Sequence, residues 1–284
     1  MLQEENASPR VEPWGRRYGS SGLLVVCLHG GPGAPGELAP VAQRLSTAFR
    51  VLEPFERRSG TLTLNLQVHV DDLARLVRET GSQKAALLGF SSGAITALAF
   101  ASMYPELAST VVLVGTATLT TEARAEFKRR LSERLDAVTA RRLAELGARP
   151  DTDERLEAQA ALVTQAYLVD PLVLPEHVWV DARGHHDTWR DMLRLQESGE
   201  HPESFRSISC SLLMIHGRED PHPGEIIRRS LHAVVPQLEY TELAGCGHYP
   251  WLERSAREEF YAVLERWLKN HATASHASYG GLRL

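Results

Sequence analysis

The sequence predicts an α/β fold: a mostly parallel central sheet flanked by helices, with a helical insertion. Three observations carry that prediction. Short apolar runs alternate with helical stretches up to about Val114. Those runs are apolar almost throughout, as in strands covered on both faces, and not alternately apolar and polar. The rhythm breaks from about Leu119 to Arg206, where charged helical sequence takes over, and it resumes at Ser211.

The elements follow in order. Leu23–Leu28 (LLVVCL) and Arg50–Phe55 (RVLEPF) read as strands. Val70–Thr80 reads as a helix, with Val70, Leu73 and Val77 at i, i+3 and i+7. Lys84–Phe90 is a strand, Ser92–Tyr104 a buried helix stopped by Pro105, and Thr110–Val114 a strand. In the insertion, Phe127, Leu131, Leu135 and Val138 fall on one helical face amid Arg, Lys and Glu, the pattern of a helix with a solvated outer side. Afterwards come a strand at Ser211–Ile215, a helix at Gly224–Val235, a strand at Leu238–Leu243 and a helix at Glu253–Leu268. The expected organisation is a core of residues 1–117 and 207–270, an insertion at 118–206 and a flexible tail at 271–284.

Composition narrows the function. The 284 residues are 43% apolar and 24% charged, enough for a large core, and the net charge is −5. Nucleic-acid binders carry a basic excess, so no nucleic-acid partner is expected. The polar N-terminus has no apolar leader and no run is long enough to span a bilayer, so a cytoplasmic protein away from membranes is expected. Cys27, Cys210 and Cys246 are widely spaced and odd in number, which suits neither a disulfide framework nor a zinc ribbon. Composition leaves the oligomeric state open.

One glycine loop admits two readings. Gly31, Gly33 and Gly36 spell G-x-G-x-x-G after a strand, and Glu53 follows the next one, which is a dinucleotide fingerprint on paper. A pyrophosphate site needs free backbone N–H donors, and Pro32 and Pro35 remove two of them. An oxyanion hole needs only two converging donors. The N–H groups of Gly31 and Ser92 would supply them. Ser91 lies in Gly89-Phe90-Ser91-Ser92-Gly93, between a strand and a helix, where a sharp turn exposes a nucleophile. A serine hydroxyl needs a base and the base an orienting acid. His248, in a glycine-rich loop after the last strand, is the candidate base. Asp220, after the strand SLLMI, is the candidate acid, with its neighbour Glu219 as competitor. All of these loops would leave a parallel sheet at its carboxyl edge, where such sheets bind ligands.

With HGGPG at His29–Gly33, GFSSG at Gly89–Gly93, HGRED at His216–Asp220 and GCGH at Gly245–His248 assembled, the chain resembles the α/β-hydrolase superfamily over nearly its whole length. That resemblance implies a helical cap between the strands at Thr110 and Ser211. HGGPG is similar to the proline iminopeptidase branch. Pro54–Gly60 (PFERRSG) stands where that branch carries Asp-Gln-Arg-Gly, and Ser92 stands where it typically has Trp. An epoxide hydrolase or haloalkane dehalogenase would carry Asp at the place of Ser91.

The leading expectation is therefore a serine hydrolase of a small ester or lactone, with no cofactor and no metal. The alternative is an aminopeptidase, and a third reading is a non-catalytic ligand receptor on the same fold. A haloperoxidase activity would be a side reaction of the same site. Phe90 is the expected substrate contact, with Trp179, His185, His186, Trp189 and Tyr249 as further candidates. Glu154, Asp170, Glu176 and Asp181 are the carboxylates an aminopeptidase could use for a substrate ammonium. His185-His186-Asp187 has no second ligand cluster at recognisable spacing, so it does not predict a metal site.

Overall fold

The computed structural model describes residues 10–12 and 14–277, with side chains from 14 to 271. Eight strands form one sheet in the order β1-β2-β4-β3-β5-β6-β7-β8. They are β1 (Arg10–Glu12), β2 (Gly15–Tyr18), β3 (Leu24–Leu28), β4 (Arg50–Pro54), β5 (Ala85–Phe90), β6 (Ala108–Val114), β7 (Ser211–Gly217) and β8 (Leu238–Leu243). From β4 to β8 all neighbours are parallel. β1 and β2 add an antiparallel edge. That edge does not show in the sequence because its strands are short and polar: RVE and GRRY.

The apolar strands are apolar because both faces are covered. In β3, Leu24, Val26 and Leu28 face one core layer while Val25 and Cys27 face the other. Helices α2 (Leu66–Glu79), α3 (Ser92–Met103) and, later, α9 (Gly224–His232) supply the first layer. Helices α1 (Ala39–Leu45) and α10 (Arg257–Ala277) supply the second. α2 begins four residues before the apolar spacing suggests, because the Asn65 side chain caps it by accepting the Val68 N–H at 2.9 Å.

Between β6 and β7 lie α4 (Thr121–Arg134), α5 (Ala137–Gly147), α6 (Asp153–Tyr167), α7 (Ala182–Glu197) and the short α8 (Glu200–Glu203). The single face expected through Phe127, Leu131, Leu135 and Val138 is split. Leu135 is extended, and Asp136 caps a new helix by accepting the Thr139 N–H at 2.7 Å. α10 starts at Arg257, not Glu253, and runs on through Ala277. The tail expected from His271 is thus helical as far as Ala277, and residues 278–284 lie outside the described residues, as do 1–9 of the polar N-terminus.

The register brings the site together. Leu28 pairs with Gly89, Phe90 with Val114, Val114 with Ile215, and Gly217 with Leu243. The loops after β3, β5, β7 and β8 therefore leave the same carboxyl edge at one level. β3 is also where the chain switches direction, with β4 on one side and β5 on the other. A crevice opens at such a switch point.

Candidate active site

Ser91 occupies the turn between β5 and α3 with φ 53° and ψ −117°. Among the described residues it is the one non-glycine residue with positive φ. Such a conformation costs about 1–3 kcal/mol and persists only where the surroundings impose it. The surroundings here are backbone. A Cβ on Gly89 would lie 2.4 Å from the Gly93 oxygen, and one on Gly93 would lie 2.3 Å from the His29 oxygen. Only glycines let β5, α3 and the end of β3 come this close.

His248 and Asp220 meet across the loops after β8 and β7. The His248 Nδ1–H donates to Asp220 Oδ2 at 2.6 Å, and both side chains are buried. Glu219, the competitor, turns away and accepts the Cys246 N–H at 2.8 Å. Asp220 Oδ1 accepts from the His222 N–H at 2.8 Å and from its Nδ1–H at 3.0 Å, while His216 Nε2 lies 3.4 Å from Oδ2. Burial alone would raise the Asp220 pKa. His248, His222 and His216 together outweigh it and hold the carboxyl well below its ordinary range. Burial lowers His222 to about 4, so that ring is neutral near pH 7 and donates one proton to Asp220. Between Ser91 and His248 the structure forms no hydrogen bond among the described residues. They are neighbours through Phe90, whose ring centroid is 4.8 Å from that of His248, and through Gly115, whose Cβ position lies 3.0 Å from His248 Nδ1. Nucleophile–base contacts commonly tighten only when substrate is bound.

The glycine loop is built for a fixed peptide, not for a pyrophosphate. The Gly30 N–H is given to Glu37 Oε1 at 2.7 Å and the Gly33 N–H to Glu56 Oε2 at 3.3 Å. Four successive carbonyls are held by the segment before and into α7. Pro32 O accepts from His185 Nδ1–H at 2.8 Å, Gly33 O from the Asp181 N–H at 2.8 Å, Ala34 O from His177 Nδ1–H at 2.9 Å, and Pro35 O from the Val178 N–H at 2.7 Å. Glu53 is buried in β4 and accepts from the Tyr18 hydroxyl at 2.7 Å. The N–H groups of Gly30 and Gly33 and the Glu53 carboxylate, which a dinucleotide would need, are thus taken by protein partners. The Gly30 carbonyl accepts from His29 Nδ1–H at 2.9 Å, and His29 Nε2 accepts the Glu56 N–H at 3.4 Å, which sets the tautomer. Because the Gly30 carbonyl and the Gly31 N–H share one planar peptide, His29 also aims that N–H.

The other expected contacts lie elsewhere. Phe90 is 1% exposed, meets Trp251 edge-on at 4.8 Å and packs beside the His248 ring. Trp179 lines a cavity of about 460 Å³ on the β4 side of the glycine loop, with Trp14, His29, Phe55, Glu56 and Arg58. Ser91, Asp220 and His248 do not line it. Trp189 packs against the core and Tyr249 is buried. His185 turns to Pro32, His186 to Asp151 at 3.0 Å, and Asp187 to Arg183 and Arg190, so these three do not converge. Asp220, His222 and His248 do converge, within 4.8 Å. Their facing atoms are joined by the Nδ1–H bonds to Asp220, where a metal would have to displace protons. Of the carboxylates in the insertion, Asp170 pairs with Arg254, Glu176 is exposed, Glu154 sits in the first turn of α6, and Asp181 ties Ser59 to the start of α7.

Sequence reasoning missed His216 and His222 around Asp220, although H-x-x-x-D-x-H stands in the chain. It also missed Glu37 and Glu253. Glu253 is buried and accepts from the N–H groups of Gly247, Val169 and Asp170, binding the His248 loop to the insertion.

Residues 25–263 match the model of the alpha/beta hydrolase family. An esterase from Thermogutta terrifontis superposes with a TM-score of 0.63 at 21% identity, over 91% of this chain and 93% of that one. VinJ gives 0.66 at 20%, over 93% and 99%. A structure from a study of carboxylesterases of the thaumarchaeon Nitrososphaera gargenis gives 0.65 at 16%, over 94% and 100%. No helix among the described residues is long and apolar enough to cross a membrane. The strained serine turn, the shared sheet edge and the family match over most of the length agree: the chain belongs to the alpha/beta hydrolase family.

Proposed function

We propose that the protein is a serine hydrolase of small carboxylic esters or lactones that works without a cofactor or metal. Ser91 attacks the carbonyl and His248 takes its proton. Asp220 orients His248 and stabilises the imidazolium as it forms. The N–H groups of Gly31 and Ser92 receive the oxyanion. His248 returns the proton to the leaving alcohol, then activates the water that frees the acid and Ser91. The small-molecule substrate enters under the insertion, acting as a cap. One observation carries this reading: a buried 2.6 Å His248–Asp220 pair at the same sheet edge as a serine held at φ 53°. The esterase titles of the similar structures point the same way.

A second reading is cleavage of an N-terminal residue from a short peptide. It is favoured by one feature besides HGGPG: the buried carboxylate of Glu37, which crowds the same point as Ser91.

The test pairs p-nitrophenyl butyrate with aminoacyl p-nitroanilides, using Ser91→Ala as control. The expected result is ester turnover that falls by about 10³-fold or more in a folded Ser91→Ala variant, with inert anilides. Most of the rate surviving in that variant would sink the proposal, and anilide turnover would favour the second reading.

A further inference from the structure

We infer that Glu37 is a positioning residue of the oxyanion site, holding through Gly30 the peptide that presents the Gly31 N–H; this rests on the serine-hydrolase reading above. Glu37 follows the glycine loop and is 4% exposed. Its Oε1 accepts the Gly30 N–H at 2.7 Å. On the other side of the same residue, His29 donates to the Gly30 carbonyl at 2.9 Å. Gly30 is thus clamped at both its polar groups, and the peptide that follows it carries the Gly31 N–H.

Glu37 is close to the reacting centre. A Cβ built on Gly30 would lie 2.8 Å from Ser91 Cβ and 3.1 Å from Glu37 Oε1, so both crowd a single point. A negative charge there would face the oxyanion that forms on the substrate. Like charges a few ångströms apart in a dry site repel strongly.

His177, the histidine that faces the Glu37 carboxyl, is kept neutral by burial, which lowers its pKa. Its Nδ1 lies 3.3 Å from Oε2 and gives its proton to Ala34 O. Tyr249, from the loop after β8, is kept neutral by burial. Glu53 and Glu56, from β4 and the loop after it, add negative field. His29 is held as the Nδ1–H tautomer by its two bonds. Burial, more than these neighbours, pushes the Glu37 carboxyl up to about 8 even though the Gly30 N–H favours its anion. At neutral pH the acid form holds Gly30 without opposing the oxyanion. Above that value the anion forms and the site turns against its own intermediate.

The experiment is the pH profile of kcat/KM for phenyl butyrate between pH 5 and 10, measured on the full chain, on Glu37→Gln, on Glu37→Ala and on Ser91→Ala. Wild type is expected to lose rate roughly 10- to 100-fold through an alkaline limb near pH 8. Glu37→Gln keeps an acceptor for Gly30 and cannot ionise, so it should retain the pH 7 rate within about threefold and lack that limb. Glu37→Ala should lower kcat about tenfold or more at nearly unchanged KM, because the clamp is gone. An alkaline limb that survives in Glu37→Gln overturns the inference, as does a folded Glu37→Gln as inactive as Glu37→Ala. A rate that survives in Ser91→Ala removes the hydrolase reading and this role with it. Aminoacyl anilide turnover that rises through pH 8 and vanishes in Glu37→Gln would make Glu37 an ammonium site instead.

A second readout needs no activity. A carboxyl raised in the folded state weakens the fold as pH climbs from its unfolded value towards its folded one. The Tm of Glu37→Gln should therefore gain on wild type between about pH 4.5 and 8 and run parallel above. A pH-independent difference overturns the inference.

Discussion

The core and the insertion are held by different forces. All six residues of β5 are buried, and so are ten of the twelve in α3. In the insertion α5 buries none of its residues, α4 only Ala123 and α6 only Ala166. The core is sustained by apolar area on two layers. The insertion rests on α7 and on polar anchors: four bonds to the glycine-loop carbonyls, Asp181 on Ser59, and Glu253 beneath the chain after α6. An apolar layer resists change throughout, whereas an anchored layer resists it only at the anchors. The insertion can therefore vary in sequence away from its anchors while the glycine loop stays in place.

The largest effect should come from the core. Gly93→Ala would place a methyl group 2.3 Å from His29 O and 2.4 Å from Leu28 O, both backbone atoms. β3 and α3 must part to admit it, so the expected loss is about 3 kcal/mol or more, with activity gone. Calorimetry should read a Tm drop of roughly 6–12 °C. A shift of a degree or two would mean that this junction yields, and the contrast with the insertion would fail.

Next comes an anchor. Asp181 accepts the Ser59 N–H at 2.5 Å, the Ser59 Oγ–H at 2.9 Å and the Gly184 N–H at 3.0 Å. Burial opposes its charge, yet the bonds from Gly184 and Ser59, with Arg58 nearby, keep its pKa below the ordinary 3.8. Its stabilisation is present above that value and fades as pH falls through the lower folded one. Asp181→Ala should cost about 1–3 kcal/mol at pH 7. The loss should fall on the insertion: faster proteolytic nicking between α6 and α7, and a lower kcat through the loosened glycine loop, with the core transition little moved. A single cooperative transition shifted as a whole would show that the two regions share one stability.

These differences also explain what could be read from the sequence. Strands β3 to β7 were legible because burial on two faces demands near-continuous apolar runs, and such runs are rare by chance; β8 (LEYTEL), an edge strand buried only at its two ends, followed from the resumed strand–helix rhythm instead. Ser91 and its glycines were legible because a strained turn admits few residue types. The choice between Asp220 and Glu219 was a matter of local geometry, and the 2.6 Å contact belongs to Asp220. Partners distant in sequence left no such trace. Glu37, Glu253 and the His216–His222 pair look like ordinary polar residues until the fold buries them. The single face from Phe127 to Val138 misled because apolar spacing continued across a break that Asp136 imposes as a cap.

The smallest effect makes the sharpest use of the contrast, because it applies one chemical change to both regions. Val112 in β6 is fully buried, whereas Val138 in α5 is 51% exposed. Val112→Ser removes apolar contacts and buries a hydroxyl among apolar side chains, which should cost about 2–4 kcal/mol. Val138→Ser leaves water on the residue before and after, so it should change stability by less than about 0.5 kcal/mol and leave ester turnover alone. Urea unfolding reads both on one scale. If Val138→Ser proved as damaging as Val112→Ser, the exposed face of α5 would have to be packed in solution. Gel filtration of wild type and Val138→Ser would then show whether a second copy of the chain does the packing, since a self-associating chain elutes earlier as its concentration rises and the variant would lose that dependence.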